Sequence, residues 1–283
     1  MEHVVIVGTG LIGASFGLAL RSAGYKGPIT GVSSPRAAAD ALSRGAIDRI
    51  APLDVAIPQA DLVFLSQTIG RILNTIRHID PLLKPGALVT DAGSTKCEIV
   101  DLARQCITRA QFLGGHPMAG KETRGAAHAA GNLFRDRTWV LTPDDASELT
   151  TSAAGEFSKY LRRIGARILI LDADEHDRVV SLTSHLAQLA STALAATVGD
   201  QLGESPREQA AGPGLEDMTR LALGSYDIWR DILATNADHI DRALSVYIQK
   251  LEHLRENLRT RQIQEEFVRA AALASRIRNR PGS

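Results

Sequence analysis

The chain has 283 residues, of which 44% are hydrophobic and 23% are charged, a composition typical of soluble globular proteins. Lysine plus arginine and aspartate plus glutamate each total 32, so the basic charge that nucleic-acid-binding proteins usually carry is missing. No unbroken apolar run approaches the roughly 20 residues of a membrane span. The first residues do not resemble a signal peptide. We therefore expect a cytoplasmic protein without nucleic-acid or membrane partners.

Short apolar runs alternate with helix-like stretches through the first 171 residues. Unbroken apolar runs are typical of strands buried on both faces of a parallel sheet. Their alternation with helices, such as 11–23 and 96–108, predicts an α/β domain with a doubly wound, Rossmann-type sheet. The predicted strands are 4–7, 29–32, 62–65, 87–90, 111–114, 139–141 and 167–171.

The second part of the chain has a different pattern. From residue 175 onward alanine and leucine recur at helical spacing, with breaks at 204–207 and 210–214. One long helix is predicted from Asn236, followed by a frayed basic tail from Arg276. We expect a dinucleotide-binding domain at 1–171 and an all-α domain at 172–283 that binds substrate and forms a homodimer. The long helix carries a short heptad seam of Ile240, Leu244, Tyr247, Leu251, Leu254 and Leu258.

A glycine-rich turn follows the first predicted strand, with the sequence Gly8-Thr9-Gly10-Leu11-Ile12-Gly13. In G-x-G-x-x-G turns the first glycine permits the tight bend, the second permits close approach of a pyrophosphate, and the third permits helix–strand packing. The following helix begins with free amide donors, which attract phosphate. The pattern predicts a dinucleotide site that includes Leu11 and Ile12; a purely structural turn is the alternative.

The residues after the second strand bear on the choice of cofactor. An acid at this position would bind the ribose 2′-hydroxyl of NAD, but the chain has Ser33, Ser34 and Arg36 there. Hydroxyls and a guanidinium suit a 2′-phosphate, so NADP is favoured over NAD. The alternative is an ordinary surface turn.

Two polar segments follow later strands, at 91–96 and 114–120. Ligands of open α/β sheets bind at such strand ends. The second segment contains His116, whose imidazole suits proton acceptance near neutral pH. In the first segment Lys96 is either part of the site or a solvated residue of a helix's first turn.

The first helix of the second domain interrupts its Ala/Leu pattern with a polar stripe. His185 lies on this stripe with Ser181, Gln188 and Thr192, which indicates either a solvated face or a wall of the substrate cleft. His176 and Asp177 open the same helix. Their spacing to His185 fits no common metal site, so no metal is expected and the acid is interpreted as a helix cap.

Together these motifs resemble those of the prephenate and arogenate dehydrogenases of tyrosine biosynthesis. The matching segments are 8–15, Asp91 with Ser94 and Lys96, 115–120 with Glu122 and Gly125, His185, 214–220 and Trp229.

The resemblance implies an NAD(P)-dependent oxidative decarboxylation. It implies that His116 accepts or stabilises the substrate hydroxyl proton. Ser94 would bond that hydroxyl and orient the nicotinamide, and Arg220 would hold a substrate carboxylate. His185 and Trp229 are implied as substrate-side residues.

Three alternatives accompany the interpretation as a prephenate dehydrogenase. Arogenate differs from prephenate only in the side chain's amino group, and the sequence does not separate the two. A β-hydroxyacid-type dehydrogenase would need a lysine base in the helical domain, where Lys250 alone follows residue 171. A non-catalytic NAD(P)-binding sensor would not need the set of Ser94, His116 and Arg220.

Overall fold

The computed structural model describes residues 1–121, 123–203 and 206–279. Glu122, positions 204–205 of the predicted break and the end of the tail lie outside the described residues. The chain divides into two compact units, Met1–Asp177 with Ser225–Thr235, and Arg178–Gly224 with Asn236–Ser283. The predicted domain boundary, after residue 171, lies shortly before Asp177, where the first stretch of the first unit ends. The first unit also contains the later segment Ser225–Thr235.

Eight strands form a single sheet in the order β3-β2-β1-β4-β5-β6-β7-β8. All neighbouring pairs are parallel except β6 and β7, which run antiparallel. The strand order reverses beside β1, where doubly wound sheets form their ligand crevice. The predicted fold class, a Rossmann-type α/β sheet followed by a helical region, is confirmed. The strands are β1 (Val4–Val7), β2 (Ile29–Val32), β3 (Arg49–Ile50), β4 (Leu62–Leu65), β5 (Leu88–Asp91), β6 (Gln111–Pro117), β7 (Thr138–Thr142) and β8 (Arg167–Ile170).

Helices connect the strands and make up most of the second unit. The α-helices are α1 (Leu11–Ser22), α2 (Pro35–Ser43), α3 (Leu53–Ala56), α4 (Ile69–Ile79), α5 (Cys97–Cys106), α6 (Ser152–Arg163), α7 (Ala173–Val180), α8 (Leu186–Leu202), α9 (Pro213–Thr219), α10 (Tyr226–Thr235), α11 (Ala237–Glu256) and α12 (Ile263–Arg278).

The sheet separates two hydrophobic clusters, and β1 contributes to both. Val4 and Ile6 pack into the cluster that contains Trp139, whereas Val5 and Val7 pack into the cluster on the other face. Side chains alternate across a strand, so an unbroken apolar run fills both faces. This explains why such runs predicted the strands of the first unit.

Two strands differ from the sequence prediction. Strand β6 continues to Pro117 because Gly114–Pro117 pair antiparallel with β7, after the pairing with β5 has ended at Leu113. His116 therefore lies within a strand, not in a loop after it. The two-residue strand β3 was not predicted, because Arg49 and Ile50 are both exposed and form no apolar run.

The long helix predicted from Asn236 is two helices. Helix α11 ends at Glu256, where the Asn257 side chain donates a hydrogen bond to the His253 carbonyl, 2.9 Å away. Such local side-chain bonds compete with helix continuation. Leu258 thus lies outside the helix. The tail that was expected to fray from Arg276 continues α12 through Arg278.

Most of the polar stripe before and within α8 is buried. Ser181, His185 and Gln188 are at most 7% exposed, whereas Leu182 is 49% exposed. Thr192, the last residue of the stripe, is exposed, so the interpretation as a solvated face is wrong for all of the stripe except Thr192. A π-helical turn at Ser181–His185 alters the angular spacing that a regular helix would give.

Gln188 of the stripe and the nearby Ser191 bind the backbone of the turn Arg220–Leu223. The Gln188 side-chain amide donates to the Leu221 carbonyl at 2.8 Å, and the Ser191 hydroxyl accepts from the Ala222 backbone amide at 3.1 Å. These buried polar groups need partners, and the backbone of the turn supplies them. Gln188 and Ser191 therefore fix the turn that begins at Arg220.

The continuous helical stretch Ala173–Leu202 has the length and mean hydropathy of a membrane span. The sequence-based expectation considered only unbroken apolar runs and did not include this stretch. The mostly buried core helix of a soluble protein passes the same test, and 28% of this window is buried. Buried Ser181, His185 and Gln188 lie on it, and uncompensated polar groups are costly in lipid.

The Asp91 carboxylate at the end of β5 connects the loop that follows it to strand β6. One oxygen accepts from the Gly93 amide at 2.7 Å and pairs with the Lys96 ammonium; the other accepts from the Gly115 amide at 3.0 Å. Asp91 and Lys96 are fully buried, so the interpretation of Lys96 as a solvated residue is wrong. Burial lowers the pKa of Lys96, and attraction to Asp91 opposes that shift.

We predict that Lys96→Met lowers the free energy of unfolding by about 3–5 kcal/mol, because it leaves the Asp91 carboxylate buried without its cation. The control is Lys84→Met, which removes the exposed pair of Lys84 with Asp61 and should leave stability unchanged. Denaturant unfolding of both variants measures the difference. Equal stability of the two variants would contradict a supporting role for the buried pair.

Candidate active site

In the glycine turn, a side chain would clash with neighbouring atoms at the first and third glycines but not at the second. Gly8 has a φ of +97°, and a Cβ added there would lie 2.7 Å from the Ser66 carbonyl oxygen. A Cβ on Gly13 would lie 2.1 Å from the Gly8 oxygen, whereas a Cβ on Gly10 would meet no atom within 4 Å. The turn thus requires glycine at Gly8 and Gly13 and leaves open space at Gly10.

Helix α1 begins at this open position. Gly10 is its N-cap and offers no side-chain capping bond, and the first turn contains no acidic residue. The first amides of a helix lack intrahelical acceptors, so those of Leu11 and Ile12 remain available to an anion. The open space at Gly10 and the uncapped helix start fit the pyrophosphate of a dinucleotide.

The three residues predicted to choose the cofactor lie next to the turn. The Ser33 hydroxyl accepts a hydrogen bond from the Thr9 amide at 3.3 Å, which fixes it beside the glycine turn. Ser34 is the N-cap of α2 without a side-chain capping bond, and Arg36 lies exposed in the first turn of that helix. This polar set is compatible with a 2′-phosphate.

A cavity of about 480 Å³ lies in the first unit, along the carboxyl edge of the sheet. Ser94 lines it together with Leu11 and Ile12 of the glycine turn. Two cations on its rim, Lys121 and Arg124, were not singled out by the sequence, because exposed basic residues in a loop carry no periodic signal. The lining is Leu11, Ile12, Ser66–Ile69, Ala92–Ser94, Ala119–Lys121, Thr123–Gly125, Ile228 and Ile232.

His116 belongs to a buried chain of polar groups. Its Nδ1 lies 2.8 Å from Nε2 of His176, and Nδ1 of His176 lies 2.7 Å from Oδ1 of Asp177. Asp177 also accepts the backbone amides of Lys96 and Cys97 at 2.7 and 2.9 Å. The acid therefore caps α5 rather than its own helix, which corrects the sequence interpretation. The adjacent His-Asp pair was visible in the sequence, but only a metal site and a helix cap had been considered for it.

The pKa values in this chain follow from its burial and hydrogen bonds. Burial raises the pKa of Asp177, but the hydrogen bonds from His176 and the Cys97 amide outweigh it, and the net pKa is lowered. Burial also lowers the pKa of His176, against the opposing bond to Asp177. Asp177 is therefore ionised and His176 is neutral at physiological pH.

The structure brings the glycine turn and Ser94 together in the first unit, and Asp91 connects the Ser94 loop to the strand of His116. Arg220 is exposed at the start of its turn in the second unit. His185 is also in that unit, 1% exposed, with Nδ1 3.2 Å from the Asn236 amide nitrogen. Trp229 is half-buried against the hydrophobic cluster of the first unit, and its neighbours Ile228 and Ile232 line the cavity.

Comparisons with known proteins cover both parts of the chain. Residues 16–170 match the family model for the nucleotide-binding domain of prephenate dehydrogenase, and residues 172–272 match the model for its dimerization domain. A prephenate dehydrogenase of Lactococcus lactis is 34% identical over 263 residues, which cover 91% of this chain and 70% of the relative.

Solved structures are similar over nearly the whole chain. The prephenate dehydrogenase of Aquifex aeolicus in complex with hydroxyphenyl propionate and NAD+ has a TM-score of 0.84 and 29% identity, covering 98% of this chain and 97% of that one. The arogenate dehydrogenase of Synechocystis has a TM-score of 0.78 and 29% identity, covering 98% and 99%. With family models matching on both sides of residue 171, the chain belongs to the prephenate dehydrogenase family of nicotinamide-dependent oxidoreductases.

Proposed function

We propose that this chain oxidises prephenate to 4-hydroxyphenylpyruvate and carbon dioxide, with a nicotinamide dinucleotide as hydride acceptor. The observation that carries the proposal is the cavity in which Ser94 and the cofactor-turn residues Leu11 and Ile12 form one lining. A substrate bonded to Ser94 in that cavity would lie against the dinucleotide site. The family match of both domains supports the same reaction.

The chemistry needs three coordinated changes in the substrate. The bound nicotinamide supplies the acceptor for the hydride on the ring carbon that bears the 4-hydroxyl. As that carbon–oxygen bond gains double-bond character, His116 accepts the hydroxyl proton. The bond to the ring carboxylate then breaks, carbon dioxide leaves, and the electron pair makes the ring aromatic. The phenol oxygen finally recovers the proton from His116, so no net proton is released.

The remaining roles concern binding and orientation. Ser94 bonds the 4-hydroxyl and orients the nicotinamide, and Arg220 pairs with a carboxylate of the dianionic substrate. His185 and Trp229 are proposed as substrate-side residues. The buried Gln188 and Ser191 support the Arg220 assignment, because they hold the backbone of the turn on which Arg220 lies.

Arogenate is a second candidate substrate. The similarity to the Synechocystis arogenate dehydrogenase extends over 98% of this chain. The two substrates share the ring, the 4-hydroxyl and the departing carboxylate, so the same His116 and Ser94 chemistry would serve both. Only the contacts to the side chain's keto or amino group would differ.

We infer that NADP is the preferred cofactor. Ser33 and Ser34 stand where an acid would bind the ribose of NAD, and Arg36 follows in the first turn of α2. A carboxylate at Ser33 would repel a 2′-phosphate; a hydroxyl does not. The bonded position of the Ser33 hydroxyl beside Thr9 supports this assignment.

We also infer a cytoplasmic homodimer built by the second unit. The segment 172–272 matches a dimerization domain. Exposed large apolar side chains on α11 and α12, unusual for a soluble monomer, support a subunit interface there. They include Val246, Ile248, Leu251, Phe267, Val268, Leu273 and Ile277.

We predict that His116→Asn lowers turnover of prephenate by roughly 10²-fold or more, the usual contribution of a positioned proton acceptor. Affinity for the cofactor should stay near that of the wild type, because the imidazole is separate from the glycine turn. Steady-state kinetics and cofactor titration measure the two effects. The control is His78→Asn on the exposed side of α4, with normal turnover expected. Normal turnover in folded His116→Asn would remove the proposed role.

Cofactor choice gives a second prediction. Arg36→Ala should raise the KM for NADP about 10-fold and leave that for NAD unchanged, because a charge-assisted bond to phosphate is lost. Ser33→Asp should shift the preference toward NAD. Initial rates with each cofactor measure both. Equal weakening of the two cofactors by Arg36→Ala would mean that Arg36 does not contact the 2′-phosphate.

For the dimer, we predict a solution mass of twice the 30.3 kDa chain that does not change on dilution. A charge in the apolar surface, as in Phe267→Glu, should yield monomer because burying an unpaired charge is costly. Leu42→Glu, at an exposed apolar position of the first unit, is the control and should stay dimeric. Sedimentation equilibrium distinguishes these states, and a wild-type monomer would contradict the inference.

A further inference from the structure

His176 and Asp177 lie behind His116 in the first unit, and the proposed reaction gives them no role. Both are fully buried, although burial of a charged carboxylate is costly unless it is well bonded. The centroids of the His116 and His176 rings are 5.1 Å apart and the ring planes make an angle of 68°, so a nitrogen at the edge of one ring faces a nitrogen at the edge of the other. The geometry is that of a directed hydrogen-bonded chain rather than of stacked apolar packing.

We propose that His176 and Asp177 are positioning residues that fix the tautomer of His116, so that Nε2 of His116 is the nitrogen that accepts the substrate proton. The inference deepens the proposed function and rests on it. It assigns the two residues an effect exerted through His116, without contact to the substrate.

The hydrogens can be assigned one after another along the hydrogen-bonded row of Asp177, His176 and His116. Asp177 accepts two backbone amides at the start of α5, which stabilise the ionised carboxylate as a helix N-terminus does. An ionised carboxylate only accepts hydrogen bonds, so Nδ1 of His176, 2.7 Å away, carries a hydrogen.

The direction of the bond between His176 and His116 follows from the neutrality of His176. A neutral imidazole carries one hydrogen, so Nε2 of His176 has a lone pair and accepts from Nδ1 of His116 at 2.8 Å. The hydrogen of neutral His116 is then on Nδ1. Its Nε2 consequently has the lone pair that proton acceptance requires.

The charges that act on the His176 ring favour this direction. They are the carboxylates of Asp177 and Asp91 and the ammonium of Lys96. Asp91 and Lys96 form a pair, so their charges largely cancel. Asp177 is the carboxylate bonded to His176, and its negative charge stabilises His116 through His176 when His116 becomes an imidazolium.

The principal test compares two variants of His176 in the full-length enzyme with prephenate and cofactor. His176→Phe removes the acceptor for Nδ1 of His116, whereas the Oε1 of His176→Gln can replace Nε2 as acceptor. We expect kcat to fall about 10²-fold in the Phe variant, with rescue to within about 10-fold of wild type in the Gln variant. The KM for the cofactor should not change in either.

The pH profile separates positioning from mere structural support. Loss of the acceptor weakens stabilisation of the imidazolium, so in His176→Phe the acidic limb of the kcat/KM profile should move down by about one pH unit. If His176 only packed helix α7, its replacement would change the stability of the protein but would not shift the acidic limb of the pH profile. An unmoved limb, or equal losses in the Phe and Gln variants, would overturn the proposal.

A measurement on the wild-type protein avoids the risk that a variant fails to fold. Long-range ¹H–¹⁵N spectra of the histidine rings, assigned by comparison with His116→Asn, report which nitrogen carries hydrogen. We expect protonated Nδ1 and unprotonated Nε2 in His116; the opposite tautomer would overturn the inference. The spectrum needs no substrate, so failure of the tautomer assignment is distinguishable from failure to oxidise prephenate.

Discussion

The buried carboxylate of Asp91 is the constraint on which the site depends. A parallel sheet brings its strand ends to one edge, but it does not by itself orient the reactive residues there. Asp91 does so by accepting the amides of Gly93 in the following loop and Gly115 in β6, one beside Ser94 and the other beside His116. A buried carboxylate is costly without a cation, and Lys96 supplies that cation from the start of the next helix.

A second carboxylate acts at the same helix start. Asp177 accepts the backbone amide of Lys96, whose side chain pairs with Asp91. Lys96 is thus held by two acids, one at its main chain and one at its side chain. Because Asp177 also bonds His176, the start of α5 connects the Ser94 loop with the ring behind His116. The placement of the Ser94 loop and of His116 in β6 therefore depends on a few bonds that do not involve the substrate.

Features with a local pattern could be predicted from the sequence. Unbroken apolar runs marked the central strands, and the glycine spacing marked a turn whose conformation requires glycine at Gly8 and Gly13. Features set by tertiary contacts could not be predicted. Asp91, the partner of Lys96, is only five positions away, but it also bonds Gly115 of the neighbouring strand. The bond of Asp177 to α5 joins residues 80 or more positions apart. The polar stripe containing His185 was recognised, but its burial depends on the backbone of a later turn.

The central claim is that this active site couples hydride transfer to loss of the ring carboxylate. The most direct test is a matrix of initial rates with prephenate or arogenate and NADP or NAD, with carbon dioxide and reduced cofactor measured in the same reactions. The account predicts fastest turnover with prephenate and NADP, with equal molar yields of carbon dioxide and reduced cofactor. Absence of turnover with every pair, or reduced cofactor formed without carbon dioxide, would contradict it.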